Sequence, residues 1–113
     1  MDKQITIGGK SQTLRANALL PRKYRHYFNR DLISDMKKMV DDYKKSDGES
    51  YDTELFENLT WLMLREGANP GIPETPEGWL ASIDSVLDVY QALPVVVELW
   101  ALNEQTTAVP KKK

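Results

Sequence analysis

The sequence contains no cysteine and a single histidine. Without cysteine there is no disulfide framework, no thiolate metal site and no thiol nucleophile. A small chain of this kind is expected inside a cell rather than in an oxidising compartment. The lone His26 has no carboxylate nearer in sequence than Asp31, so it reads as a surface or partly packed residue on a helix rather than as a catalytic base. Long apolar runs are also missing. The longest, Ala-Leu-Pro-Val-Val-Val-Glu-Leu-Trp-Ala-Leu from Ala92, is interrupted by Pro94 and Glu98 and is far shorter than the roughly 20 residues that a membrane-spanning helix needs. It also lies at the end opposite to where a secretion leader would sit. Gly8-Gly9 lacks the spacing and the Lys-Ser/Thr pair of a phosphate-binding loop. Asp41 and Asp42 are about 100° apart on a helix and do not converge on one atom. No pattern implies an enzyme, a cofactor or a metal.

What is present is one small domain's worth of ordinary globular sequence: 113 residues, 41% hydrophobic and 28% charged. The net charge of −2 conceals a strong segregation. Residues 1–45 carry eleven bases and five acids, residues 46–65 one base and five acids, and residues 66–110 seven acids and no base, before three closing lysines. Such asymmetry bears on partners and solubility rather than on fold.

Apolar and polar residues alternate on both sides of Gly8-Gly9, which predicts a β-hairpin within residues 1–16. The recurrence of Tyr24, Phe28, Leu32, Met36, Met39 and Tyr43 predicts one long amphipathic helix over residues 22–45, opened by Pro21. Asp52 or Thr53 is placed to cap a second helix that ends at Gly67. Its apolar residues cover most of its circumference, so it is the predicted centre of the core. After a proline-rich connection, Thr75-Pro76-Glu77 opens a third helix, with Trp79, Leu80, Ile83, Val86, Leu87, Tyr90 and Leu93 at helical spacing and a break near Asp84-Ser85. Pro94 kinks or restarts the chain, residues 95–105 form a last helix, and residues 106–113 a flexible tail. The expected fold is therefore mainly α: a single domain over residues 1–113, a small bundle of about four helices with a short N-terminal β-hairpin.

Two features suggest a binding role. Arg22, Lys23 and Arg25 crowd what should be the first turn of a helix, where the macrodipole favours acids by roughly 0.3 to 1 kcal/mol per charge; Arg30 follows. Their explanation is an ion pair to the acidic half of the chain or to Glu54 and Glu57, a protein partner, or contact with nucleic-acid phosphates. An acidic chain, with pI near 5.4, disfavours the last. The final helix has apolar residues on two faces, Val95, Leu99 and Leu102 on one and Val96, Val97 and Trp100 on the other. Either the hairpin and the first helices bury both, or one face is left to bind a protein.

The run Pro21-Arg22-Lys23-Tyr24-Arg25, then Phe28-Asn29-Arg30-Asp31-Leu32-Ile33 and Asp35-Met36, resembles the first-helix signature of tail assembly chaperones of long-tailed bacteriophages and prophages of Gram-positive bacteria. Ala68-Asn69-Pro70-Gly71-Ile72-Pro73 and Glu77-Gly78-Trp79-Leu80 are similar to that family's Ile-Pro loop and Trp-Leu helix. Leu93-Pro94-Val95, Glu98-Leu99-Trp100 and Asn103 are similar to its last helix, and Ile5-Thr6-Ile7-Gly8-Gly9-Lys10 to its opening strand. The matches keep their order along nearly the whole chain; Asp47-Gly48-Glu49-Ser50 has no counterpart. The resemblance implies a non-enzymatic assembly factor of the host cytoplasm that binds the tape measure protein, helps deliver tail tube protein during tail morphogenesis, and is not retained in the virion. It implies an apolar surface that shelters amphipathic helices of the tape measure protein, for which Val96, Val97 and Trp100 join Arg22, Lys23, Arg25 and Arg30 as contact residues. Separated charge suits ordered self-association, so a homo-oligomer is also expected. The family further implies a longer product made by ribosomal frameshifting, with which Lys111, Lys112 and Lys113 agree as a possible slippery run; a solubilising tail is the other reading. The competing functions are a small DNA-binding regulator using the same bases and a minor structural tail or connector protein.

Overall fold

The computed structural model describes residues 1–103. The chain opens with strands β1 (Asp2–Ile7) and β2 (Lys10–Arg15), paired antiparallel from Asp2 opposite Arg15 to Ile7 opposite Lys10. Gly8 and Gly9 both take positive φ, +59° and +81°, as a two-residue hairpin turn requires. Six helical segments follow among the described residues: α1 (Leu20–Phe28), α2 (Leu32–Lys45), α3 (Thr53–Glu66), α4 (Pro76–Ala81), α5 (Val86–Tyr90) and α6 (Leu93–Asn103). The fold is mainly α with an N-terminal hairpin, as the hydrophobic pattern predicts.

Helix α3 is the centre. Asp52 caps it by accepting from the Leu55 N–H at 3.0 Å, and Gly67 ends it. Leu55, Phe56, Leu59, Trp61, Leu62, Met63 and Leu64 are all buried. Among the described residues Thr60 is the one buried polar residue, its hydroxyl donates to the Phe56 carbonyl at 2.8 Å, and no buried side-chain nitrogen or oxygen lacks a partner. Strand β2 lies along α3, with Leu14 buried between them, and α1, α2 and α4 also contact α3. The Tyr90 hydroxyl of α5 donates to the Glu57 carboxylate, and burial together with this bond pushes its pKa up to about 12.

The single helix expected over residues 22–45 is two helices. Asn29 takes the left-handed conformation (φ 56°, ψ 40°), which Asn tolerates better than most residues, and its N–H closes α1 on the Arg25 carbonyl. Asp31 then caps α2, accepting from Ile33 N at 3.0 Å and Ser34 N at 3.4 Å. The apolar spacing runs through the break because both helices bury their residues against α3, so periodicity did not register the corner. The expected break near Asp84-Ser85 is present, separating α4 from α5. Pro94 lies in the first turn of α6, where its missing N–H has no partner to lose. Gln105 and the tail over residues 106–113 lie outside the described residues.

A second correction concerns α6. Val96, Leu99 and Trp100 are buried, at 0%, 0% and 3% exposure, and Val95 and Val97 are half-buried against the same core. The outward positions are Pro94, Glu98 and Ala101, and Glu98 pairs with Lys3 of β1 at 2.9 Å. Val96, Leu99 and Trp100 are therefore buried within one chain, with β1 lying against α6, and Trp100 borders an open recess of about 410 Å³ lined by Ile33, Met36 and Val40 of α2. No helix among the described residues is long and apolar enough to cross a membrane.

Candidate functional site

With α6 enclosed, the exposed apolar surface lies elsewhere. Leu19 and Tyr27 are each 43% exposed and Ile33 is 56% exposed, all beside the basic run. Leu19, Arg22, Arg25 and His26 fall at i, i+3, i+6 and i+7, one stripe of α1 and its N-terminal flank that faces solvent. They line a shallow recess of about 490 Å³ with Lys23 and Tyr27. Arg25 also walls a second recess of about 410 Å³ that runs past Pro21, Asn29 and Arg30 to Ile33. The result is a continuous, mainly basic and apolar face across α1 and the start of α2, in which Asp31 is the one acid of the second recess.

The four bases predicted to act together divide into two kinds. Lys23 pairs with Glu66 at the end of α3 at 3.0 Å, and Arg30 grips Asp35 with two bonds of 2.7 and 3.0 Å. Those contacts hold α1 and α2 in place. Arg22 and Arg25 are exposed and have no carboxylate partner among the described residues. The helix break also changes the dipole argument. Because α1 is nine residues long, Arg25 and His26 occupy its last turn, where positive charge is favourable, and only Arg22 and Lys23 stand in the unfavourable first turn. Lys23 has its carboxylate, so Arg22 alone is left in an adverse field without compensation. Val96, Val97 and Trp100 are not part of this face.

The Tyr27 ring is fixed although it is exposed. It meets Trp61 edge-on at 5.1 Å, and Arg65 lies 5.7 Å over the same indole, whose N–H donates to the Pro73 carbonyl at 2.9 Å. The aromatic on the candidate surface is thus braced by the core and presents a rigid edge.

The corner between α1 and α2 is built around Asp35, which accepts from Arg30 and, at 3.2 Å, from the Tyr24 hydroxyl. These bonds, Arg30's above all, hold the carboxyl below its ordinary range, while burial and the neighbouring carboxylate push the Tyr24 phenol up. A depressed carboxyl stabilises the fold fully above the unfolded value near pH ~3.9 and loses that contribution as pH falls through the folded value. Asp35→Asn is therefore expected to lower stability at neutral pH by about 1 to 2 kcal/mol, discounted for the exposed Arg30 side chain. It should also show a shallower loss than the parent below pH ~4, read by urea titration across that range.

The sequence pattern missed a second exposed apolar site. Val86 and Leu87, which the sequence places at helical spacing with Trp79, Leu80 and Ile83, are both 70% exposed at the start of α5. After the break over residues 82–85, Val89, Ala92 and Leu93 turn inward, of which only Leu93 belongs to the predicted series. The available signal was that Asp84 and Asp88 flank the pair. Among the described residues no group of three or more His, Asp or Glu side chains is placed to hold a metal ion. No family model matches this chain, and no curated protein or solved structure is detectably similar to it.

Proposed function

We propose that the chain is a phage tail assembly chaperone, a non-enzymatic factor that binds the tape measure protein in the host cytoplasm, helps recruit tail tube protein and is absent from the finished virion. Two supports are independent of each other. One is the ordered resemblance along the sequence. The other, which carries the mechanism, is the exposed face on which unpaired Arg22 and Arg25 stand beside Leu19, Tyr27 and Ile33. A surface with that composition suits an amphipathic helix whose apolar stripe is flanked by acids, because apolar contact holds the helix and charge sets its register. The sheltering surface is therefore assigned to α1 and α2 in place of α6.

Co-expression with the tape measure protein encoded at the same locus tests the reading. The chain should keep that protein soluble and co-purify with it, while Arg22→Glu with Arg25→Glu should abolish recovery of the complex and leave the melting curve within about 0.5 kcal/mol of the parent, since both positions are exposed. An insoluble tape measure protein in the presence of the unaltered chain would defeat the proposal. Mass spectrometry of purified particles should not find the chain; its presence would make it a structural tail or connector protein. Duplex DNA binding is a weaker reading, because Lys23 and Arg30 are engaged with Glu66 and Asp35, which leaves two of the four bases for phosphates.

A further inference from the structure

The two edges of the hairpin are treated differently. Met1 and Ala16 exchange two bonds of 2.9 Å, the Ala16 N–H donating to the Met1 carbonyl and the Met1 amine to the Ala16 carbonyl. Antiparallel residue pairs alternate between bonded and non-bonded, so in this register the bonded pairs are Lys3 with Leu14, Ile5 with Gln12 and Ile7 with Lys10. The N–H and C=O groups of Thr13 in β2, and of Gln4 and Thr6 in β1, then point away from the hairpin. On the β2 side the fold closes its edge: the Asn69 side chain accepts from the Thr13 N–H and donates to the Thr13 carbonyl, as a neighbouring strand would. On the β1 side no group among the described residues bonds the backbone of Gln4 or Thr6.

An open edge is a template for one more strand, and native edges are usually blunted by a bulge, a proline or a free charge. Strand β1 has none of these. Its pairing is continuous, Asp2 is held by Arg15 at 2.9 and 3.0 Å, and Lys3 is held by Glu98 at 2.9 Å. We propose that the β1 edge is a docking site for an extended, uncharged segment of another protein, which adds a third strand beside β1. Backbone bonds to Gln4 and Thr6 hold the segment, because an extended chain presents donors and acceptors at their spacing and a helix, whose backbone groups bond one another, does not. Its side chains alternate, apolar ones beside half-buried Ile5 on the side that meets α6 and polar ones beside exposed Gln4 and Thr6. Since both charges of the strand are already paired, a charged residue in the segment finds no partner there. The contact is short, which sets it among weak, reversible interfaces. This inference goes beyond the proposed function and does not depend on it, because it uses no residue of the basic face and takes a strand where that face takes a helix.

The purified chain and a synthetic end-blocked peptide, Thr-Val-Gln-Val-Thr, test it. In the free chain, hydrogen exchange read by NMR should find the amides of Gln4 and Thr6 close to the rate of an unstructured chain, and those of Lys3 and Ile5 slower by about a hundredfold or more. Saturating peptide, with a Kd of about 10 µM to 1 mM, should slow Gln4 and Thr6 about tenfold or more and leave the amides from Leu19 to Ile33 unchanged. The same peptide methylated on every nitrogen keeps its side chains but donates nothing, and should bind about tenfold more weakly or worse. Thr6→Pro deletes an outward donor and no ladder bond, so it should melt within about 5 °C of the parent and bind the peptide at least about fivefold more weakly; the methylated peptide decides the matter on the unaltered chain if that variant fails to fold. Gln4 and Thr6 amides already slow in the dilute chain would show a covered edge and overturn the proposal. So would a peptide that does not bind at about 5 mM, binds elsewhere, or binds equally well when methylated. Protection of the two amides that grows with the concentration of the chain alone would give the edge to a second copy, and would equally overturn it. Peptide binding without rescue of the tape measure protein would sink only the functional reading, and rescue without peptide binding only this one.

Discussion

Trp100→Ala should unfold the domain rather than weaken a partner contact. The side chain is 3% exposed and belongs to the same buried cluster as Met36, Leu99 and the residues of α3. Truncating a buried tryptophan removes its transfer free energy and leaves a cavity, together about 3 to 5 kcal/mol. A domain of this size holds about 5 to 15 kcal/mol in all, so the loss is a large share of it and unfolds a domain at the low end of that range. A thermal melt followed by circular dichroism should show the midpoint fall by about 10 °C or more. Leu87→Ser is the control: at 70% exposure it should leave the midpoint nearly unchanged, with a stability change within about 0.5 kcal/mol. If Trp100 were a docking residue on a spare face, its truncation too would leave the midpoint nearly unchanged. The experiment therefore decides whether Trp100 belongs to the core.

The contrast between those two residues also marks what the sequence could reveal. Elements with a local chemical signal were legible. Gly8-Gly9 announced the hairpin, Asp52 and Gly67 bounded α3, and Thr75-Pro76 opened α4, where the Thr75 hydroxyl oxygen accepts from the Gly78 N–H at 3.0 Å. The centrality of α3 was legible too, because a helix that is apolar around most of its surface has to be surrounded. The corner at Asn29 was not. Its cap at Asp31 is written in the sequence, but the uninterrupted spacing from Tyr24 to Met39 pointed to one helix, and periodicity cannot separate a straight helix from two that bury against the same neighbour. The faces of α6 were not legible for a related reason. An apolar pattern says that a surface requires cover, and only tertiary structure says whether the cover belongs to the same chain. Here the chain's own core buries Val96, Leu99 and Trp100, and β1 lies against α6.

The candidate site shows the same division. The basic run was visible in the sequence, but which of its members are free was not, because Glu66 reaches Lys23 across 43 positions of chain and Asp35 reaches Arg30 only after the helix has turned a corner. The exposure of Val86 and Leu87 was not legible either, because spacing alone does not say which members of an apolar series face outward after the break at residues 82–85. The proposed function rests on such tertiary details, above all two arginines that have no carboxylate partner among the described residues.

Gly67→Ala is expected to detach the hairpin. Gly67 has an ordinary φ of −75°, so backbone freedom is not what it provides. It provides room. A Cβ at this position would stand 2.1 Å from the Thr13 carbonyl oxygen and 2.9 Å from its carbon, and a backbone group cannot rotate away as a side chain does. Strand β2 is fastened at that point by Asn69, whose side chain accepts from Thr13 N and donates to Thr13 O, both at 2.7 Å, and donates to Leu64 O at 2.9 Å. Arg15 adds a bond to the Glu66 carbonyl at 3.1 Å. Pushing the strand outward strains or breaks these bonds and loosens Leu14, so overpacking and lost hydrogen bonds together amount to about 3 kcal/mol or more. Hydrogen exchange should show the amides of Thr13 and Leu14 losing protection before those of α3 do. Because β1 covers α6, the displaced hairpin should also uncover Val96 and Leu99, and the variant should bind a hydrophobic dye that the parent excludes. A variant that melts and exchanges like the parent would show that β2 does not rest on Gly67.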